Sequence, residues 1–339
     1  AAAAAAERRR VSLCVIGDVD HGKSTVCGQL IFMTGGLSER QLAQYERVAR
    51  KVGRETSKFA WIMDKFKEER EHGLSVQASI WSIPTARYDV DIVDAPGHRR
   101  FVKNMAVGAS LADVALLVVS ALPEEFERGV ARFGMTWQEC QVVFGIGIRN
   151  VVVLVNKLDG VSFAEARFVE VRDAVRRVLR KCGFRNADAF PCVPVSAYNG
   201  VNLVARGDDS PTPWYDGPTV VEAIDALPPP PRGADQPLRV PILAMHKVKG
   251  VGDVAVGRVV QGVLRPGEQL VLQPGDVAAT TTSIEMYHSA RTEAVPGDVV
   301  GFTVRSATQK HLLRRGLVAS AASAPCAAVS AFKARVLVC

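Results

Sequence analysis

The stretch GDVDHGKST, Gly17 to Thr25, sets two glycines, a lysine and two hydroxyl side chains directly after an apolar run. Gly17, Gly22, Lys23 and Ser24 satisfy the spacing GxxxxGK[ST], with a strand expected before it and a helix after it. Glycines at these positions let successive backbone N–H groups curl around phosphate oxygens, and the helix start adds positive potential. On this reading Asp18, Val19, Asp20, His21, Gly22, Lys23, Ser24 and Thr25 surround a phosphate chain. Lys23 neutralises the β- and γ-phosphates, and Ser24 ligates Mg2+. A plain glycine turn between a strand and a helix is the competing explanation while the motif stands alone.

Three further stretches bear on it. DAPGH, Asp94 to His98, closes an expected strand. An acid there can hold Mg2+ through water, and Gly97 can offer its N–H to a γ-phosphate with no side chain in the way. His98 can position an attacking water; by itself it reads more simply as a turn histidine. NKLD, Asn156 to Asp159, follows another expected strand. The Asp159 carboxylate can accept from both N1–H and the N2 amino group of guanine. Adenine lacks that donor pair and leaves the acid unpaired, at a cost of about 1–3 kcal/mol. Asn156 can hold the loop and base edge, and the Lys157 stem can cover the ring. Ser196 and Ala197 complete the set with a backbone N–H near guanine O6. Within EREHGLSV, the Ser75 hydroxyl can reach Mg2+ when GTP is bound and let go after hydrolysis. The glycine loop, DAPGH and NKLD, in this order and each on a strand end, indicate GTP/GDP and Mg2+.

The elements that must position these residues are short apolar runs: 11–17, 88–94, 114–120, 150–156 and 191–196. Their β-branched, unalternating character suits strands covered on both faces. Helix-length segments at 24–34 and 162–182 lie between them, and GIGIRN at 145–150 reads as a helix end turning into a strand. The expected fold is an α/β P-loop domain, a mostly parallel sheet with helices on both faces, over 11–227. The proline run in LPPPPRGADQP makes 228–237 a spacer. Beyond it, Pro-Gly turns at 266–267, 274–275 and 296–297 separate β-rich runs, so 238–325 reads as an antiparallel β-barrel. Residues 1–10 read as a low-complexity tail, and the charge run at 65–73 as a solvated helix face.

The 339 residues carry a net charge of +7 with 48% hydrophobic and 23% charged residues, which excludes a disordered chain. The positive balance is compatible with nucleic acid and equally with ordinary solubility. Seven cysteines without a CxxC pair argue against a disulfide framework or a zinc site, so a reducing, cytoplasmic setting is expected. No run approaches the ~20 apolar residues of a membrane span.

Across residues 11–339 the chain resembles the translational GTPases, and within them the elongation factor 1 alpha family. The resemblance rests on GDVDHGKST, FAWIMDKFKEEREHGLSV, DIVDAPGHRRFVKNM, VNKLD, TPWYDGPTVVEAID, KGVGDVAVGRVVQGVLRPGE and EAVPGDVVGF. The insert with WIMDKFKEEREHG favours the eukaryotic and archaeal branch. The resemblance implies a GTPase domain followed by two β-barrels. It also implies GTP-driven delivery of aminoacyl-tRNA to the ribosome by a monomer served by a guanine-nucleotide exchange factor. It makes His98 catalytic, Ser24, Ser75 and Asp94 the Mg2+ ligands, and Val19 and Leu74 an apolar gate beside His98. Several positions depart from the pattern. Asp18 stands where the family has His, which brings a negative charge beside the phosphates. Ser75 replaces Thr, Arg100 replaces Asp, and Val299 replaces an Asn of the aminoacyl pocket, whose hydrogen bonds valine cannot make. Residues 326–339 read as the stub of a third domain that is missing. These departures leave two alternatives: a termination or rescue GTPase with protein cargo, or a truncated GTP-binding paralogue that does not cycle.

Overall fold

A computed structural model describes residues 8–51, 59, 62, 79–94, 102–131, 134–286, 289–306, 310–334 and 336. Leu74, Ser75, Gly97, His98 and Arg100 lie outside these residues, as does the charge run at 65–73. The chain divides into two compact units, one running to Pro229 and one from Pro230 to Val336.

Six strands build the first unit: β1 (Arg9–Ile16), β2 (Ser79–Pro84), β3 (Tyr88–Asp94), β4 (Val114–Ser120), β5 (Asn150–Asn156) and β6 (Cys192–Pro194). They lie in the order β2-β3-β1-β4-β5-β6, parallel except for β2, which runs antiparallel to β3. The β2 segment was not expected from its sequence, SIWSIP. It occupies an edge, where a proline at the strand end removes no ladder bond that the sheet needs. β1 starts at Arg9, inside the expected 1–10 tail. Arg10 explains this, because its guanidinium pairs with Asp91 of the neighbouring β3 at 2.8 Å.

Side chains alternate across the sheet and so build two cores. Leu13, Val15, Leu116, Val118, Val152 and Leu154 pack on one face. Cys14, Ile16, Leu117, Val119, Val153 and Val155 pack on the other. Helices cover both faces, as strands apolar on both sides require. On the first face lie α1 (Lys23–Met33) and, at the far end of the unit, a helix over Val220–Asp225. The second face is covered by helices over Val102–Ala109, Pro123–Val130, Met135–Ile146 and Glu165–Cys182, here α3, α4, α5 and α6; α2 is Glu39–Lys51 and α7 is Val220–Asp225. Helix α6 begins three residues later than its pattern predicts, because Ser162 and Phe163 take left-handed φ values of 52° and 53°. Its apolar stripe of Phe168, Val171, Val175, Val178 and Cys182 is buried, and Gly183 at φ 109° ends it. Thr219 and Glu222 form a capping box that starts α7.

The second unit holds β7 (Val240–Val248), β8 (Gly252–Arg258), β9 (Gln269–Gln273), β10 (Val277–Thr280), β11 (Ile284–Met286), β12 (Ser289–Arg291), β13 (Val299–Thr303) and β14 (Val318–Ala321). They form one antiparallel sheet in the order β10-β9-β14-β7-β8-β13-β11-β12. Residues from seven of these strands, including Ile242, Ala255, Leu272, Val277, Ile284, Phe302 and Ala319, share one core. A single sheet can enclose a single core only by curling on itself, as in a barrel. Gly267, Gly275 and Gly297 take φ of 87°, 116° and 104°, which explains the glycine of each Pro-Gly turn. The expected spacer is structured in its second half: the Gly262 amide donates to the Gly233 carbonyl at 2.8 Å. Among the described residues, no helix is long and apolar enough to cross a membrane.

Leu116 is fully buried in the central strand of the first unit, whereas Val260 is 54% exposed. Leu116→Ala is expected to cost about 2–5 kcal/mol, from lost burial plus the cavity left behind. Val260→Ala should stay within about 0.5 kcal/mol. Urea unfolding followed by intrinsic fluorescence checks both.

Candidate functional site

The carboxyl ends of the parallel strands share one edge of the first sheet. β1 lies between β3 and β4, so the chain leaves it towards both sides, and a crevice opens where the connections diverge. Residues 17–25 follow β1, Asp94 ends β3, Asn156 ends β5, and Ser196 and Ala197 follow β6. The described motif residues thus arrive at one place.

Sterics shape the phosphate loop. Gly17 has φ 141°, and a Cβ there would sit 2.1 Å from the Val118 carbonyl oxygen. Gly22 has φ 90°, and its Cβ would sit 2.4 Å from Asn156 Nδ2. Only glycine allows both conformation and approach. Lys23 is buried, and its ammonium donates to the Asp18 carbonyl at 2.9 Å, across the loop. Asp18 folds back to accept the Val19 amide at 2.7 Å. Val19 and Thr25 are half-buried, and Asp20 is exposed with φ 66°. Ser24 Oγ donates to Asp94 Oδ2 at 2.7 Å. A hydroxyl and a carboxylate held side by side are the hard oxygen donors that suit Mg2+.

Asn156 joins the loops. Its Nδ2 donates to the His21 carbonyl at 2.9 Å, and its Oδ1 accepts the Ala197 amide at 2.9 Å. Its own carbonyl accepts the Ala121 amide at 2.7 Å. One buried side chain therefore holds the phosphate loop and the loop after β6 together. The Ala197 N–H, one of the backbone donors expected near guanine O6, donates to Asn156 in this structure. Ser196 is buried, with no partner for its hydroxyl among the described residues. Asp159 is exposed beyond Lys157, in a 3-10 turn over Leu158–Val161, where a base edge can reach it.

Two further side chains of the motifs have partners within the protein. The His21 imidazole is buried between the carbonyls of Val118 and Glu125, at 3.3 and 3.2 Å, so it packs the loop. Burial outweighs those carbonyls and keeps His21 below the ordinary histidine value. Lys157 has φ 63°, and its ammonium binds both oxygens of Glu125 at 2.8 Å. Burial raises the Glu125 carboxyl, but hydrogen bonds from Lys157 and Ser120 outweigh it and hold the group below the usual carboxylate value.

Sequence reasoning did not find Glu125 or Glu139. Glu139 lies on α5, fully buried, and accepts the Gly17 amide through Oε2. The two are 122 residues apart, and nothing local to EC in TWQEC signals the contact. Burial pushes the Glu139 carboxyl up from 4.5 to about 8, with Asp18 adding to the rise; Lys23 and the Gly17 amide oppose it. A folded-state value above the unfolded one means that the native protein holds a proton the unfolded chain has lost. The stabilisation is complete below about pH 4.5 and disappears as pH rises to about 8. Glu139→Gln keeps the shape and an acceptor but cannot ionise. The wild type is therefore expected to lose melting temperature relative to Glu139→Gln across that window, with no further divergence above it.

Comparisons with known proteins agree with this geometry. Residues 8–230 match the elongation factor Tu GTP binding domain family, and residues 252–319 match elongation factor Tu domain 2. Elongation factor 1-alpha of Thermofilum pendens is 43% identical over 332 residues, covering 98% of this chain and 76% of that protein. Elongation factor 1-alpha of Entamoeba histolytica is 39% identical, covering 98% and 74%. Among solved structures, a bacterial selenocysteine-specific elongation factor superposes with a TM-score of 0.67 at 21% identity. That match covers 93% of this chain and 45% of the other, and it bears on the fold alone. With a phosphate loop tied to a base loop and such relatives, the chain belongs to the elongation factor Tu GTP-binding family, as a translation elongation GTPase similar to elongation factors 1-alpha.

Proposed function

We propose that this protein carries aminoacyl-tRNA to the ribosome in its GTP state and releases it when GTP is hydrolysed there. The similarity to elongation factors 1-alpha supports the carrier role, and the observation that carries the nucleotide-binding part is the Asn156 bridge between the His21 carbonyl and the Ala197 amide. It makes the phosphate loop and the base loop one unit, so a nucleotide is gripped at both ends. Amides of residues 19–24 surround the phosphates, and Lys23 moves its ammonium from the Asp18 carbonyl to the β- and γ-oxygens. Ser24 and Asp94, with Ser75 added, would hold Mg2+, which would supply positive charge against the negative charge that develops on the phosphates. Asp159 accepts from the guanine N1–H and N2 amino group. The Lys157 stem, anchored by Glu125, covers the ring.

Hydrolysis is in-line attack of water on the γ-phosphorus. The water is positioned by His98, with Gly97 donating to the γ-phosphate and with Val19 and Leu74 as the apolar gate. The family resemblance supports these roles, and it also supports ribosome stimulation, an exchange factor, a monomer and a cytoplasmic setting. The identity to elongation factors 1-alpha weighs against the protein-cargo and non-cycling alternatives.

Two measurements test the reading. Asp159→Asn exchanges one acceptor for a donor, so it pairs with the C2 carbonyl of xanthine and no longer with the guanine amino group. GTP affinity should fall at least about tenfold while xanthosine triphosphate affinity rises, as read by competition against a fluorescent nucleotide. Unchanged preference would remove Asp159 from the base site. The GTP-loaded protein should also slow hydrolysis of the ester of aminoacyl-tRNA. Nucleotide binding without that protection would overturn the carrier role while leaving the GTPase intact.

A further inference from the structure

Glu139 is used by no step of the hydrolysis, yet it sits against the beginning of the phosphate loop. Its Oε2 accepts the Gly17 amide, and its Oε1 is buried with no hydrogen-bond partner among the described residues. Any side chain at residue 17 would collide with the Val118 carbonyl, so the backbone there passes close against β4, next to the carboxyl. An ionised carboxylate there would leave one bare anionic oxygen in a medium of low dielectric, whereas the neutral acid leaves only an ordinary polar atom. Among the described residues, the groups that face it are few. Lys23 and Asp18 come from the phosphate loop, Cys14 from β1 and Cys140 from its own helix. Burial raises both thiols well above their usual value, so they stay neutral. Lys23 is then the one cation in this group, and bound phosphates need the same cation.

We propose that Glu139 is a positioning residue for the phosphate loop that works in its protonated form, so that nucleotide binding above neutral pH takes up a proton. Protonated Glu139 anchors Gly17 and leaves Lys23 to the phosphates. Ionised Glu139 draws on Lys23 and sets a second negative charge, beside Asp18, under a polyanion. The nucleotide and the charged form of Glu139 disfavour each other, and linkage makes the effect reciprocal: the phosphates reprotonate the acid. This inference rests on the reading that GTP phosphates occupy residues 17–25.

The test is calorimetric titration of magnesium GDP onto the full chain at about pH 8, in buffers of different ionisation enthalpy. Wild type should take up about half a proton per nucleotide bound, and its affinity should fall about five- to tenfold between about pH 7 and about pH 9. Glu139→Gln retains an acceptor for Gly17, so it should bind near the wild-type level at neutral pH, with no proton uptake and a flatter profile. Glu139→Ala, lacking the anchor, should bind more weakly at every pH. Absence of proton uptake by wild type overturns the proposal by itself, whether or not either variant folds. The same pH slope in wild type and Glu139→Gln overturns it too. Nucleotide binding by neither protein at any pH would instead bring down the phosphate-site reading on which the proposal stands.

Discussion

The whole first unit is organised around one amide. Asn156 gives its N–H to the loop after β1 and receives an N–H from the loop after β6. Each bond is modest, worth about 1 kcal/mol net, but both partners are buried backbone groups that would otherwise stay unsatisfied. Loss of this side chain therefore releases two loops together. The demand for close approach then passes to Gly22, where even a methyl group would collide with Asn156 Nδ2.

The sheet makes such a junction possible. Strands apolar on both faces sink into a three-layer sandwich and send every loop that follows them to the same edge. Alternation settles what lies beneath: odd residues of β1 face the core of α1 and α7, and even residues face α3 to α6. The site is thus an end-on feature of a rigid sheet, which fixes the backbone of the loops that gather there.

Charge within the cradle is distributed unusually. Asp18 and Glu139 set two acids beside the single ammonium of Lys23. Low dielectric decides between them. Glu139, fully buried, keeps its proton near neutral pH, whereas Glu125, only partly buried, stays ionised and spends its charge on Lys157. Two glutamates on neighbouring helices therefore have opposite protonation states because one can see water and a cation.

The strands over 88–94, 114–120 and 150–156, the helix over 24–34 and the glycine of each Pro-Gly turn were legible from residue types, because period, β-branching and turn chemistry are local properties. The edge strand β2 was not, since the proline-ended segment SIWSIP has no strict two-residue alternation and becomes a strand only beside a partner. The late start of α6 was not either, since left-handed φ at Ser162 and Phe163 is imposed by surrounding packing rather than by preference. The sequence by itself determined that phosphate and guanine are the groups to be bound, because GxxxxGK[ST] and NKLD each concentrate their chemistry in a few consecutive residues. Only the tertiary structure decided what those residues do with their side chains: His21 packs the loop, the Ala197 amide belongs to Asn156, and Glu139 reaches Gly17 from 122 residues away. The reason is physical. A backbone path can be written in neighbouring residues, whereas burial, the strength of a charge and the partner of an amide depend on whichever distant segments exclude the water.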